Sequence, residues 1–150
     1  MSTLSDTVIW IHGDNLSPYS PAFEQNQGSP AVFVWDDELL AKSRISMKRI
    51  VFIYECLLEL PVVIRRGDVA EEVTRFALMH NAGCIVTNES PSPRFHRLCQ
   101  QISHMMPSGS RLEVLRETPF VSNQTTYDLK RFSRYWREAK RNAMKPSSSR

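Results

Sequence analysis

Five short hydrophobic segments recur along the chain, and helical patterns lie between them. The segments are rich in β-branched and aromatic residues, and most of them are continuously apolar rather than alternating. Such a pattern is typical of strands that are covered on both faces, as in a parallel sheet. The predicted strands are residues 7–11, 31–35, 61–65, 83–87 and 112–115.

Three segments between these strands carry signals for helices. Residues 46–60 begin with a serine that can cap a helix and are apolar almost all round, which predicts a deeply packed helix. Residues 68–80 begin with Asp68, and Glu71 completes a capping box. The Ser-Pro pair at 92–93 is typical of a helix start, and apolar residues follow it at helical spacing.

The order of these elements predicts the fold class. Strands that alternate with helices imply right-handed crossovers and an open, doubly wound sheet. We therefore expect an α/β fold with a five-stranded parallel sheet of the Rossmann-like type. A chain of 150 residues that is 41% hydrophobic can bury one substantial core. We expect one domain over residues 7–126, with disorder at 1–6 and 146–150.

The basic charge is concentrated near the C-terminal end. Residues 130–150 hold eight of the 19 basic side chains and one of the 16 acidic ones, so they carry +7 and the rest of the chain carries −4. Residues 127–145 are predicted to form a cationic amphipathic helix, because apolar residues recur at helical spacing: Phe132, Tyr135, Trp136, Ala139 and Ala143. The basic face is either a solvated surface or a surface that binds nucleic acid or a protein partner. Its candidate binding residues are Lys130, Arg131, Arg134, Arg137, Lys140 and Arg141.

Several kinds of chemistry lack their sequence signature. The loop after the first predicted strand has a single glycine instead of GxGxxG, and the chain has no GxxxxGK[ST] phosphate-binding loop. The three cysteines and four histidines have no ligand spacing, so reduced core thiols and no metal are expected. Because no apolar run approaches the ~18 residues of a membrane span, we expect a cytoplasmic protein without a membrane partner.

Candidate ligand-binding residues cluster at the predicted carboxyl ends of the strands, where ligands bind in sheets of this kind. His12 and Asp14 resemble an acid–base pair, but their spacing on a loop favours structural roles. We interpret Asp14 as a cap of a turn or helix and His12 as a partly exposed loop residue, and no catalytic residue is predicted. The candidate cofactor-binding residues are His12, Gly13, Asp14, Trp35, Asp36, Gly67, Asp68, Asn88 and Glu89.

Several segments resemble, in the same order, the N-terminal α/β domain of photolyases and cryptochromes. In VIWIHGDNLSPYSPAF, Trp10, Asp14, Pro21 and Ala22 match the opening of the family without a gap. The resemblance covers about residues 7–137. Its further segments are GSPAVFVWDDELL, KRIVFIYECLLEL, IRRGDVAEEV, NAGCIVTNESPSPRFHR and LKRFSRYWREAKR.

The resemblance implies an antenna-type domain, which in this family carries a chromophore such as a folate, a deazaflavin or a flavin. The helical half of the family, which binds FAD and cleaves the pyrimidine dimer, has no counterpart here, so no FAD and no photolyase activity of this chain alone are expected. The chain also departs from the family at the first loop. His12, Gly13 and Leu16 stand where the family has arginines.

Three functional hypotheses follow. The first is a stand-alone photolyase-related α/β protein that binds an antenna chromophore or a nucleotide-like ligand, or docks onto a separate FAD-binding helical subunit. The second is a nucleic-acid-binding accessory protein that uses the basic C-terminal helix. The third is a protein-interaction scaffold that uses the same helix.

Overall fold

The chain divides after Arg116 into two compact units. The computed structural model describes residues 6–117, 130–141 and 143. The elements are β1 (Thr7–Ile11), α1 (Pro21–Gln25), β2 (Ala31–Asp36), α2 (Asp37–Lys42), α3 (Met47–Leu58), β3 (Val63–Gly67), α4 (Val69–Met79), β4 (Cys84–Asn88), α5 (Pro93–Met105), β5 (Arg111–Leu115) and α6 (Phe132–Ala139).

The five strands form one parallel sheet in the order β3-β2-β1-β4-β5. The chain builds outward from β1 to β3 and then returns to the other side of β1 to form β4. The register pairs Ile9 with Ala31 on one side of β1 and Val8 with Ile85 on the other. The strand order therefore reverses between β1 and β4, as in doubly wound sheets.

Each face of the sheet supports its own hydrophobic cluster, because successive strand residues point to opposite faces. On one face, Trp10 and Ile85 pack with Phe76 of α4 and with residues of α5. On the other face, inward residues of β1, β2 and β4 pack with Ala22 of α1 and Leu57 of α3. Helices cover both faces, so the predicted doubly wound α/β fold of the Rossmann-like type is confirmed.

Helix α4 shows how directly its sequence specifies it. The Asp68 Oδ1 atom accepts a hydrogen bond from the Glu71 backbone N–H at 2.9 Å, which satisfies a free donor of the first turn. Val73 and Phe76 lie on the buried face. Asn81 follows the helix with a φ of 51°, a left-handed conformation that asparagine tolerates. The predicted helix and its cap are confirmed.

Strand β3 begins two residues later than predicted. Pro61 has no N–H to donate to a neighbouring strand. The backbone N–H of Val62 donates to the carbonyl of Leu60 at 2.9 Å, so it closes a turn instead of joining the sheet. The strand therefore starts at Val63 and extends to Gly67.

Helix α3 is a surface helix, and the prediction that it is deeply packed is wrong. Ser46 caps it as expected, and its Oγ atom accepts a hydrogen bond from the Arg49 N–H at 3.3 Å. Leu57 is its only buried residue, whereas the side chain of Phe52 is 62% exposed. The apolar residues on the outer side of the helix do not face the sheet.

The described part of the second unit contains α6, which ends at Ala139, so Ala143 lies beyond the helix. Residues 127–129, 142 and 144–145 of the predicted C-terminal helix lie outside the described residues, as do the predicted disordered segments 1–5 and 146–150. Asp6, predicted to be disordered, accepts a hydrogen bond from the Cys84 N–H at 3.0 Å. Among the helices of the described residues, none has the length and hydrophobicity that crossing a bilayer requires.

The different burial of α3 and α4 predicts different costs of truncation. We expect Phe76→Ala to lower the free energy of unfolding by ~3–5 kcal/mol, because the ring is buried and its removal leaves a cavity. We expect Phe52→Ala, the matched control on α3, to change it by no more than ~0.5 kcal/mol. Urea unfolding followed by circular dichroism measures both. Equal losses would show that α3 is packed as deeply as α4.

Candidate ligand-binding site

A cavity of about 210 Å³ opens at the carboxyl ends of β1 and β2. Its floor is formed by the last residues of these strands, and its sides by α2, the first turns of α3 and α5, and the loop after β1. Most of its walls are apolar. The apolar lining comprises Trp10, Ile11, Phe33, Val34, Trp35, Leu39, Leu40, Ile45, Ile53, Val69, Phe95 and Leu98.

Aromatic rings form a rigid part of this wall. The ring of Trp10 stacks on that of Phe95, with centroids 5.6 Å apart and an angle of 17° between the planes. The ring of Phe33 meets that of Trp35 edge-on, with centroids 5.1 Å apart. Trp35 is partly exposed and lines the cavity. Flat, preorganised aromatic walls are suited to an aromatic ligand, because rings attract one another when stacked or edge-on.

Asp36 and Arg94 place an ion pair at the edge of the cavity. The Oδ1 atom of Asp36 caps α2 by accepting hydrogen bonds from the N–H groups of Glu38 at 2.9 Å and Leu39 at 3.3 Å. The Oδ2 atom accepts a hydrogen bond from the Arg94 guanidinium. The two oxygens thus hold the start of α2 and the first turn of α5 at the same point.

The pKa of Asp36 reflects these contacts. Burial raises the pKa, but the hydrogen bonds and charge of Arg94 and the two backbone N–H groups of α2 outweigh burial and hold it below its ordinary value of 3.8. The carboxylate is therefore ionised at neutral pH, and Arg94 stays oriented along the cavity wall. Only one nitrogen of the Arg94 guanidinium meets Asp36, and a guanidinium carries five N–H donors, so Arg94 has further N–H groups that can bind an anion.

A second cavity of about 270 Å³ is lined by the same ion pair. It lies between α2 and α5, and its lining is more polar than that of the first. Lys42 and Arg97 contribute two further cations, and Lys42 pairs with Glu38. Arg97 forms no ion pair with any described carboxylate. The lining therefore carries three cations and two carboxylates, a net charge of +1, and the Asp36–Arg94 pair is common to this cavity and to the aromatic one.

Arg49 supplies another cation to the first cavity. It lies in the first turn of α3, where the Ser46 cap fixes the backbone. Within the described residues, no carboxylate pairs with Arg49. Its exposed guanidinium is available to a negatively charged group at the mouth of the cavity.

The loop after β1 is joined to the end of β4 by side-chain hydrogen bonds. The Nε2 atom of His12 lies 2.6 Å from the carbonyl oxygen of Asn88, so this nitrogen carries the donated proton. The imidazole also contacts the rings of Trp10 and Phe95, with centroid distances of 5.7 Å and 5.1 Å. Ser90 Oγ donates to the Asp14 carboxylate and accepts from the Ser92 N–H at 3.2 Å.

Two further hydrogen bonds join the end of β4 to β1 and to α1. Thr87 Oγ1 donates to the carbonyl of Trp10 at 2.8 Å. The Oδ1 atom of Asn88 accepts from the Ala22 N–H at 3.0 Å, at the start of α1. Because protein groups fill the reversal point itself, the open cavity lies over β1 and β2, beside that point.

The structure brings five of the predicted cofactor-binding residues to the cavity: His12, Gly13, Asp14, Trp35 and Asp36. The other four do not line it. Asp68 caps α4, and Gly67 holds a φ of +146°, where a side chain would be strained and would meet Glu72. Asn88 is buried against α1, and the Glu89 N–H donates to the Leu115 carbonyl at 2.8 Å.

His12 and Asp14 hold structural positions. His12 contacts the carbonyl of Asn88, and Asp14 contacts the hydroxyl of Ser90, so each is hydrogen-bonded to the β4 side of the sheet. The prediction that Asp14 caps its turn or the following helix is wrong, because the N-cap of α1 is Ser20 and the Asp14 carboxylate contacts Ser90. That carboxylate accepts from Ser90, which supports the start of α5 through Ser92.

Sequence reasoning missed much of the lining, including Leu39, Arg49, Arg94 and Phe95. Asp36 precedes acidic residues, a signal for a helix cap that would have indicated α2. The pairing of Asp36 with Arg94 spans 58 positions of the chain and has no local signal.

The basic residues proposed to bind nucleic acid or a partner lie in the second unit, on or beside α6. On this helix the rings of Phe132 and Trp136 are nearly parallel, at 9°, with centroids 6.2 Å apart. The nucleic-acid and scaffold hypotheses for Lys130, Arg131, Arg134, Arg137, Lys140 and Arg141 stay predictions. No family model matches the chain, and no curated protein matches it.

The Asp36–Arg94 contact predicts a shift in the titration of Asp36. In Arg94→Met, the carboxylate loses a hydrogen bond and a positive charge while its burial remains, so we expect its pKa to rise. A folded-state pKa below the unfolded value stabilises the protein at higher pH, and this stabilisation is lost as the pH falls through the folded-state pKa. The variant should therefore lose the Asp36 contribution at a higher pH than the parent. The Asp36 carboxyl carbon signal in NMR, recorded from pH 2 to 7, measures the pKa of Asp36 in the parent and in the variant.

Arg97→Met is the matched control, because it removes a neighbouring cation of α5 that does not contact Asp36. An unchanged Asp36 titration in Arg94→Met would contradict the assigned contact.

Proposed function

We propose that this chain is a photolyase-type α/β domain that binds an antenna chromophore or a nucleotide-like ligand in the cavity over β1 and β2. The observation that carries the proposal is the combination of an aromatic cavity with an adjoining cationic one. The two meet at the Asp36–Arg94 ion pair. The resemblance to the photolyase family, together with the Rossmann-like sheet, supports the choice of ligand class.

The size of the cavity limits how much of a ligand it encloses. Drug-sized ligands occupy roughly 300–1,000 Å³. A volume of about 210 Å³ is smaller, so it suits one flat ring system rather than a whole dinucleotide. The remainder of the ligand would extend toward the cationic side chains.

The charges around the ring cavity favour an anionic extension. Arg49 lies at its mouth, and Arg97 and Lys42 line the adjoining cavity. Hydrogen bonds from such groups to a phosphate or carboxylate are stronger than those between neutral partners. Flavin mononucleotide and folates combine a flat ring with such a group, and therefore fit this arrangement.

The role we propose is to hold the ligand. In the photolyase family, catalysis belongs to the FAD-binding helical half. In this proposal that half is contributed by a separate helical partner, onto which the α/β domain docks. The ring in the cavity would then serve as the antenna or as a bridge to that partner.

The proposal predicts saturable binding of flavin mononucleotide. We expect the ligand to quench tryptophan fluorescence, because Trp35 lines the cavity. Arg49→Ala should weaken binding by about 10- to 100-fold, since one charge-assisted contact is worth roughly 1.5–3 kcal/mol. Isothermal titration calorimetry and fluorescence quenching measure the dissociation constants, and a folate is titrated in parallel.

Arg44→Ala is the matched control, because Arg44 is exposed nearby but does not line the cavity. Affinities lowered equally by both substitutions would indicate general attraction to positive charge. The proposed site is wrong if neither ligand binds and the protein purified from its natural source carries no chromophore in its absorption and mass spectra.

A further inference from the structure

One exposed side of α3 carries an apolar stripe that contributes no buried residue to the core within the described part of the chain. Met47, Val51, Tyr54 and Leu58 follow one another at helical spacing and share one face. Their exposed fractions are 71%, 45%, 47% and 64%. Leu57, which lies about 60° from Tyr54 around the helix axis at 100° per residue, is buried against the sheet.

A continuous stripe of this kind differs from scattered exposed residues. Single apolar side chains at a surface are ordinary, whereas contiguous exposed patches mark interaction sites. The stripe follows the full 12 residues of α3, which is about 18 Å at 1.5 Å per residue. Its spacing is that of a helix that packs lengthwise against a second helix.

Charged residues lie along one edge of the stripe. Seen down the helix axis, Glu55, Lys48 and Glu59 lie about 40°, 60° and 80° to the same side of Val51, at 100° per residue. All three are exposed. None of them forms an ion pair with another described residue. The cation is near the start of the helix and the two anions are near its end.

We propose that α3 is the interface of a homodimer in which the α3 helices of two copies pack antiparallel about a two-fold axis. The axis passes midway between Val51 and Tyr54. Met47 and Leu58 are equally far from this point. Met47 of one copy therefore faces Leu58 of the second copy, and Val51 faces Tyr54, so the stripe is complementary to itself.

The charged residues favour the antiparallel arrangement over a parallel one. In an antiparallel pair, the charged edge of each helix meets the same edge of the other helix. Lys48 then lies level with the point midway between Glu55 and Glu59 of the second copy, about 3 Å along the axis from each. A parallel pair would instead turn Lys48 toward the Tyr54 edge, where no carboxylate lies. Such self-complementarity under a two-fold operation is what an isologous interface requires.

The contact is small, because it involves one pair of 12-residue helices. Interfaces that bury less than about 1,200 Å² in total are typical of weak complexes. The dimer is therefore weak and dependent on concentration, with a dissociation constant on the order of 1–100 µM.

The test is sedimentation velocity of the full chain from about 1 to 500 µM, which spans the expected dissociation constant. Lys48→Glu places like charges together across the axis and should weaken the dimer at least about 10-fold. The triple variant Lys48→Glu/Glu55→Lys/Glu59→Lys restores opposite charges and should return the dissociation constant to within about 3-fold of the parent.

The apolar stripe has its own matched pair of variants. Leu58→Glu should abolish the dimer, whereas Leu78→Glu on α4, at a residue that is 54% exposed, should leave it unchanged. Circular dichroism of each variant serves to check that it is folded. A parent that stays monomeric throughout would overturn the proposal, as would a dimer unaffected by Lys48→Glu. A dimer weakened by Lys48→Glu but not rescued by the triple variant would refute the antiparallel arrangement.

Discussion

The hydrogen bonds between the end of β4 and the segment that follows β1 determine where the sheet leaves an open cavity. His12 contacts the carbonyl of Asn88, Asn88 holds the start of α1, and Asp14 accepts from Ser90. In doubly wound sheets, the point where strand order reverses is the usual binding crevice. Here protein groups occupy that point, and the open volume lies over β1 and β2. The proposed site therefore lies over β1 and β2 instead of at the point where the strand order reverses.

The Asp36–Arg94 ion pair places charged groups beside the apolar wall of this cavity. One carboxylate caps α2 and orients a guanidinium from α5, so two elements that are distant in the sequence form one wall. Because the pair is partly buried and well hydrogen-bonded, it costs less than an isolated buried charge and keeps its geometry. An aromatic cavity on one side and a cationic cavity on the other then favour a ligand with a flat ring and an anionic extension.

Local patterns predicted the strands and α4 because these elements depend on interactions between residues that are close together in the sequence. Apolar β-branched runs form covered strands, and Asp68 with Glu71 begins a helix. The same reasoning was wrong for α3, since an apolar residue such as Phe52 indicates a preference for burial but not the surface that provides it. The sequence predicted only those lining residues of the cavity that lie at the ends of the strands. Arg94 lies on α5, which is far from Asp36 in the sequence, and the contact between the two residues depends on how the elements pack.

The central proposal is that a flat, anionic ligand would bind over β1 and β2 while the hydrogen bonds between the loop after β1 and the end of β4 stay intact. A crystal structure of the protein with bound flavin mononucleotide tests this most directly. We expect density for the ring in the cavity lined by Trp35 and Phe95, with the His12–Asn88 and Asp14–Ser90 hydrogen bonds intact. A ring located between the ends of β1 and β4, with those hydrogen bonds broken, would contradict it.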